Sequence, residues 1–237
     1  MTTSIQNSVA LVTGANRGLG CALVEQLLER GAAKVYATAR DPKALADLGE
    51  KVVPLALDVT DDASIAAAAK VAGDVRILFN NAGVLASFDL LESEPEALQR
   101  DLEVNFFGPL RTTRAFLPSL GEGGAIVNVL TVASLASMPM IGGYGASKAA
   151  AFSMTQSLRA QLAERGVGVH AVFPGPIDTD MIRDFEMPKT SPRDVAAAIL
   201  DGVASGEQNI YPDPMSKDAG ALWEKAPEEL AQRFAAM

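Results

Sequence analysis

Seven short apolar runs, each separated from the next by a stretch of helical length, constrain this chain more than any other feature. They fall at residues 9–13, 34–39, 52–57, 76–79, 125–130, 167–173 and, briefly, 209–211. Most are continuously apolar rather than alternating, the pattern of strands covered on both faces by helical crossovers. Helical stretches lie between them at about 19–30, 62–71, 94–117, 144–165 and 192–204. The last opens on Ser191, Pro192, Arg193 and Asp194, which supply a cap, a proline at the first helical position and an acid at the third. The expected fold is α/β, a three-layer doubly wound architecture built on a seven-stranded parallel sheet. At 237 residues the chain reads as one domain, 1–237, with a loop at about 176–191 over a site and a C-terminal segment at 212–237.

Charge and composition narrow the function classes. With 20 basic against 29 acidic residues, net −9, the long-range field disfavours nucleic acid or an anionic membrane as partner. Cys21 is alone and rules out an intrachain disulfide, and His170, equally alone, has no cluster with which to build a metal site. His170 sits within a strand-like run and reads as structural, and Cys21 reads as a small packing residue. Residues 1–8 are polar, without the basic and apolar regions of a secretory signal, and no apolar stretch reaches the length of a membrane span. A reducing cytoplasm is the expected location.

The first strand leads directly into Thr13-Gly14-Ala15-Asn16-Arg17-Gly18-Leu19-Gly20 and then a helix. Glycines at such a turn allow the backbone to approach a pyrophosphate, whose charge is favoured at the helix N-terminus. The spacing is G-x3-G-x-G rather than G-x-G-x-x-G. A tight strand-to-helix connection is the alternative use of the same glycines. Asp58 follows a buried strand directly, at the end where ligands bind in such sheets, or else caps the helix after Thr60. After the second strand, Ala39 is followed by Arg40, so a cation stands where an acid would select a free ribose hydroxyl. Arg40 offers a charged fork to a 2′-phosphate, and Arg17 approaches the same region from the glycine turn. This favours NADP(H) over NAD(H), unless Arg40 simply pairs with Asp41 in solvent.

The ordered set of the glycine turn, Asp58-Val59, Asn80-Asn81-Ala82-Gly83, Asn105, Tyr144-Gly145-Ala146-Ser147-Lys148 and Pro174-Gly175-Pro176-Ile177-Asp178-Thr179 resembles the short-chain dehydrogenase/reductase family in its compact, Rossmann-like branch. The resemblance spans nearly the whole chain. It implies that Gly14, Asn16, Arg17, Gly18, Leu19 and Gly20 hold the dinucleotide phosphates. It further implies that Asp58 and Val59 meet the adenine, that Asn81, Ala82 and Gly83 lie along its ribose, and that Pro174, Gly175, Ile177 and Thr179 hold the nicotinamide end.

Reduction of a carbonyl by hydride needs a proton donor for the developing alkoxide, and oxidation needs the same group as base. A free tyrosine, with a pKa of about 10, is poorly tuned for this. Lys148 lies four residues after Tyr144, on the same helical face, where its charge would favour the phenolate. The family resemblance adds that Lys148 binds the nicotinamide ribose and that Asn105 continues a proton relay. It also implies a serine thirteen residues before the tyrosine, where this chain has Thr131. Thr131 keeps a hydroxyl able to stabilise the substrate oxygen; Ser134, ten residues before Tyr144, is the alternative.

An apolar substrate pocket is expected from Leu85, Leu135, Met138, Met181 and Phe185, joined by Phe88, Met140 and Met187. Such a wall suits a hydrophobic ketone, aldehyde or alcohol. Gly108-Pro109 marks a helix irregularity after Asn105, and the long helices resemble those that build homodimers or homotetramers in the family. The competing reading is a dinucleotide-binding regulatory protein that keeps the fold without the reaction. A sugar epimerase or dehydratase, which would need a larger C-terminal domain, fits the length less well.

Overall fold

The computed structural model describes residues 2–45 and 48–237. Each expected strand forms within about two residues of its apolar run: β1 Val9–Val12, β2 Lys34–Ala39, β3 Val52–Ala56, β4 Ile77–Asn80, β5 Ala125–Val129, β6 Gly168–Val172 and β7 Asn209–Ile210. They form one sheet in the order β3-β2-β1-β4-β5-β6-β7. Every neighbouring pair in it is parallel. The chain winds outward from β1 to β3, then returns to the other side of β1 as β4, and this reversal opens a crevice at the carboxyl ends of β1 and β4.

Helices cover both faces, which explains the uninterrupted apolar runs. On one face α1 (Gly18–Glu29) and α6 (Pro192–Ser205) bury Leu23, Leu27, Ile199 and Val203 against Val12, Phe79 and Val127. On the other, α2 (Asp62–Val71), α4 (Gly108–Phe116) and α5 (Gly142–Leu162) bury Ile65, Phe116, Met154 and Leu158 against Leu11, Leu78 and Ile126. Each such leucine or isoleucine contributes about 1.5–3 kcal/mol by leaving water. The Ser191 hydroxyl accepts from Asp194 N at 3.1 Å, so α6 starts at the cap expected of it.

The single helix expected over 94–117 is instead three pieces: α3 (Pro95–Leu102), a π-helical turn at Glu103–Phe107, and α4. Pro109 lacks an N–H and its ring displaces the carbonyl four residues back, so a regular winding cannot continue through it. The widened turn absorbs the misfit. Gly108 lies where an added Cβ would stand 3.0 Å from Val59 Cγ2, which brings this rod close to the segment after β3.

A buried polar chain links the sheet to two helices. Thr112 Oγ1 donates to Asn80 Oδ1 at 2.6 Å, and Asn80 Nδ2 donates to Thr113 Oγ1 at 3.2 Å and to Asn128 Oδ1 at 2.8 Å. Asn128 Nδ2 then donates to Thr155 Oγ1 at 2.9 Å. Satisfied in this way, polar groups in a core set one alignment of α4, β4, β5 and α5.

The C-terminal segment forms two helices, α7 (Pro214–Lys225) and α8 (Pro227–Ala235), which pack on this same chain. Leu230 and Phe234 are buried with Phe152 and Phe173. Asp213 caps α7 and its other oxygen accepts from Gly175 N at 2.8 Å, anchoring the segment to the loop after β6. His170 is buried in β6, with Nδ1 2.6 Å from the Glu207 carbonyl, a structural placement.

Candidate active site

A cleft of about 990 Å³ follows the crevice from Arg40 and Asp58 at one end to Thr131, Tyr144 and Met181 at the other. At the first end, Gly14 and Gly18 adopt positive φ, and a Cβ at Gly20 would fall 2.2 Å from the Gly14 carbonyl. Only glycines permit this path. α1 begins after Arg17 with no side-chain cap and no acid in its first turn, so its leading N–H groups and positive end remain open to the cleft. A glycine cradle with an uncapped helix N-terminus fits the pyrophosphate of a dinucleotide.

The expected nucleotide residues Asn16, Leu19, Val59, Ala82 and Gly83 all line this cleft. Asn81 lines it too, but its side chain is committed to the fold: Nδ2 donates to the Thr13 and Gly14 carbonyls at 2.9 and 3.2 Å. Thr13 Oγ1 accepts from Asn81 N and Ala82 N, completing the tie between β4 and the glycine turn. Asp58 Oδ1 accepts from Thr60 N at 2.9 Å and from Thr60 Oγ1 at 2.7 Å. The cap of α2 is Asp61, not Asp58. The Thr60 N–H, its hydroxyl and the Arg40 charge hold the Asp58 carboxyl below the usual range despite some burial.

Arg40 lines the cleft with an exposed side chain. Arg17 is engaged elsewhere: Nη1 stands 3.3 Å from Asp180 Oδ2, on the loop after β6. Pro174, Gly175, Ile177 and Thr179, expected at the nicotinamide end, line the cleft from that loop. Ile177 forms a bridge with Thr190, and a Cβ at Gly18 would meet Thr179 Cγ2 at 3.1 Å. The glycine turn and this loop therefore enclose the middle of the cleft.

At the far end, α5 presents Tyr144 and Lys148 one turn apart. Lys148 Nζ donates to the Val129 carbonyl at 2.9 Å and lies 5.9 Å from the centre of the Tyr144 ring. The Tyr144 hydroxyl has no hydrogen-bond partner among the described residues, while its backbone carbonyl accepts from Ser147 Oγ. Burial pushes the Tyr144 phenol above its ordinary value, and the Asp101 charge pushes in the same direction. The lowering expected from Lys148 is not seen: burial and Asp101 both act upward on the phenol. Burial also depresses Lys148, to about 8, against the opposing effect of Asp101.

Asn105 sits in the π-helical turn. Its Oδ1 accepts from Val84 N at 3.0 Å, and its Nδ2 donates to the Val84 carbonyl at 2.9 Å and to Ser147 Oγ at 3.0 Å. An added Cβ at Gly83 would lie 3.2 Å from Asn105 Oδ1 and 3.4 Å from Lys148 Nζ, so these three positions converge.

Of the two candidate hydroxyls, Thr131 lines the cleft, whereas Ser134 turns away and accepts from Thr131 N at 3.3 Å. Thr131 Oγ1 accepts from Ala133 N at 3.3 Å, and its own proton has no acceptor among the described residues.

The apolar wall contains Leu85, Met138, Met140, Met181, Phe185 and Met187, joined by Met215 and Met237. Leu135 is a correction: it is buried in the core with Leu130, Phe152 and Phe173, because the turn after Thr131 points it inward. Phe88 stands at the rim, stacked on Phe185 with ring centres 6.5 Å apart. Asp101 and Ser147 were not found from sequence. Ser147 lies inside the Tyr144 to Lys148 interval, and its position one residue before the lysine was the available signal.

A family model described as short chain dehydrogenase matches residues 8–189. The chain belongs to the short-chain dehydrogenase/reductase family of oxidoreductases. A 3-oxoacyl-(acyl-carrier-protein) reductase of Vibrio harveyi is 33% identical over 95% of this chain and 92% of its own length. Among solved structures, a short chain dehydrogenase from Burkholderia cenocepacia J2315 in complex with NADP superposes with a TM-score of 0.93 at 42% identity, covering 98% of this chain and 99% of the other. A short chain dehydrogenase/reductase from Burkholderia phymatum in complex with NAD has a TM-score of 0.85 at 27% identity, covering 97% and 96%.

Proposed function

We propose that this chain is an NADP(H)-dependent oxidoreductase that interconverts a hydrophobic ketone or aldehyde and its alcohol. The observation that carries the reading is the Tyr144 hydroxyl, unpartnered among the described residues and set beside Lys148 at the end of a cleft whose other end is a glycine cradle. When bound, the nicotinamide supplies or accepts the hydride. Tyr144 gives its phenolic proton to the carbonyl oxygen in reduction and takes it back in oxidation. A phenol whose pKa is raised by burial stays protonated throughout the neutral range, which suits the reductive direction. The free Thr131 proton donates to the same oxygen as negative charge develops on it. Lys148 orients the nicotinamide ribose and sets positive charge beside the phenol, while Asn105 holds Val84 and Ser147 in place behind them. The Met138, Met181 and Phe185 wall excludes water and accepts an apolar substituent, with methionines adapting to its shape.

Arg40 supports NADP(H), because it lines the nucleotide end directly after β2, with Asp41 following it, and so places a cation where an acid would repel a 2′-phosphate. The Burkholderia cenocepacia structure, in complex with NADP, supports the same reading, whereas the Burkholderia phymatum structure holds NAD. A cytoplasmic homodimer or homotetramer completes the proposal, supported by the lone cysteine and by Leu102 and Phe107, which lie exposed on the α3 to α4 rod. The test is consumption of NADPH and of NADH with a panel of aromatic and aliphatic carbonyls. Turnover with NADPH is expected. Tight cofactor binding with no turnover of any carbonyl would instead favour the regulatory reading.

A further inference from the structure

We infer that Asp101 is a positioning residue for this site: its buried carboxylate clasps the loop after β4 onto the start of α5 and so fixes the placement of Tyr144. Asp101 lies in α3 and is 0% exposed. No basic side chain forms an ion pair with it among the described residues. Instead Oδ1 accepts from Ala86 N at 2.9 Å, and Oδ2 accepts from Ser87 N at 3.0 Å and from the Ser87 hydroxyl. Asn105 follows four residues later and grips Val84 through both its backbone groups. Two side chains on one face of the rod thus hold three of four successive loop residues.

The clasp is transmitted to the acid/base. Ser87 packs so tightly on α5 that a Cβ at Gly143 would fall 2.1 Å from Ser87 Oγ and 2.5 Å from Leu98 Cδ2. The Gly143 N–H also donates to the Phe88 carbonyl at 3.3 Å. Gly143 directly precedes Tyr144, so movement of the loop moves the phenol. Three donors on two oxygens require a carboxylate, since an amide would turn its NH2 toward one of the loop N–H groups. The same three charge-assisted hydrogen bonds offset the desolvation of the carboxylate. The groups around Lys148 are Tyr144 on its own helix, Asn105 from the π-helical turn and the Val129 carbonyl from β5, and the Asp101 charge acts on it from α3. Asp101 is the one that opposes the loss of the lysine proton on burial.

The inference rests on the roles proposed above for Tyr144 and Lys148, and its test separates the two. NADPH affinity is measured by fluorescence titration from pH 6 to pH 10 for wild type, Asp101→Asn and Ser87→Ala, alongside kcat/KM for a carbonyl that the wild type reduces. In Asp101→Asn the alkaline loss of affinity should begin about half a pH unit or more lower, because the ammonium has lost its counter-charge. Ser87→Ala keeps that charge, so its limb should stay in place while kcat falls by about threefold or more. A kcat/KM within about twofold of wild type in both Asp101→Asn and Ser87→Ala overturns the inference. If circular dichroism shows Asp101→Asn unfolded, Ser87→Ala and Gly143→Ala decide, since both loosen the clasp; wild-type kcat and NADPH affinity in both would overturn it. A chain that binds NADPH with the shifted limb yet reduces no carbonyl would refute the enzymatic reading and leave the clasp standing.

Discussion

Arg17 and Asp180 meet at 3.3 Å across the mouth of the cleft, joining the glycine turn to the loop after β6. Asp180 is shared with Arg183, three residues further along. Both members of the Arg17 pair are largely exposed, so the contact is weak and exchangeable. A 2′-phosphate would compete with Asp180 for the Arg17 guanidinium. Asp180→Asn should therefore raise NADPH affinity by about two- to threefold and leave NADH affinity unchanged in a fluorescence titration. An equal gain for both cofactors would show that Asp180 acts through the loop and not through Arg17.

Arg40 is exposed at the nucleotide end and shares no ion pair among the described residues, so its fork is available to phosphate. Replacing it with alanine should weaken NADPH binding by about 10- to 100-fold, the range of a lost charge-assisted hydrogen bond, and barely alter NADH. Equal affinities of the wild type for the two cofactors would sink the NADP(H) preference itself.

Tyr144→Phe removes the proposed proton donor and keeps the ring. Its kcat should fall by about 10²- to 10⁴-fold with NADPH binding preserved. Thr131→Val should cost about 10²-fold in kcat, as loss of an oxyanion donor does, while Ser134→Ala disturbs only the local turn. If Thr131→Val keeps full activity and Ser134→Ala abolishes it, the hydroxyl roles are reversed.

The Lys148 ammonium is destabilised by the fold, with its pKa lowered to about 8 from the ordinary 10.5. Between those values the unfolded chain binds a proton that the folded chain has released, so stability increases as pH rises across this window. Below it the penalty is fully in force, on the order of 3 kcal/mol before the lost Val129 hydrogen bond is counted. Lys148→Met should accordingly raise Tm by about 2–4 °C at pH 7 while abolishing turnover. Scanning calorimetry at pH 10.5 should show that gain largely gone.

The sheet was legible because strands covered on both faces leave uninterrupted apolar runs, and β1 to β7 follow them closely. The break at Glu103–Phe107 was signalled only by Gly108-Pro109, and its position upstream of the proline reflects the carbonyl that the ring displaces. α7 and α8 were read only as a C-terminal segment, because their apolar residues Trp223, Leu230 and Phe234 are too sparse to show a clear period. In the site, motif order and the family resemblance pointed to Tyr144, Lys148, Asn105 and Thr131, and the structure gathers Tyr144, Lys148 and Thr131 at one end of the cleft with Asn105 behind them. Leu135 was misplaced, since spacing along the chain does not tell which side of a short turn faces a cleft. Asp101 lies between Arg100 and Leu102 and looks like any acid on a helix surface. Its burial and its grip on residues 86 and 87 exist only in three dimensions, as does the partnership of Arg17 with a residue 163 positions away.

The widened turn at Glu103–Phe107 carries a further meaning when set beside the polar chain in the core. A π-helical turn holds one more residue than an α-helix would place there, so it shifts the angular phase of all that follows by roughly 100°. Upstream of the shift, Asp101 addresses the cleft loop; downstream of it, Thr112 and Thr113 address Asn80. Deleting one residue within 103–107 would rotate these two sets into conflict, with either the loop or the Asn80 alignment forfeited. The irregularity is a fixed gear offset, by which one rod meshes with two surfaces that a uniform helix could not engage together.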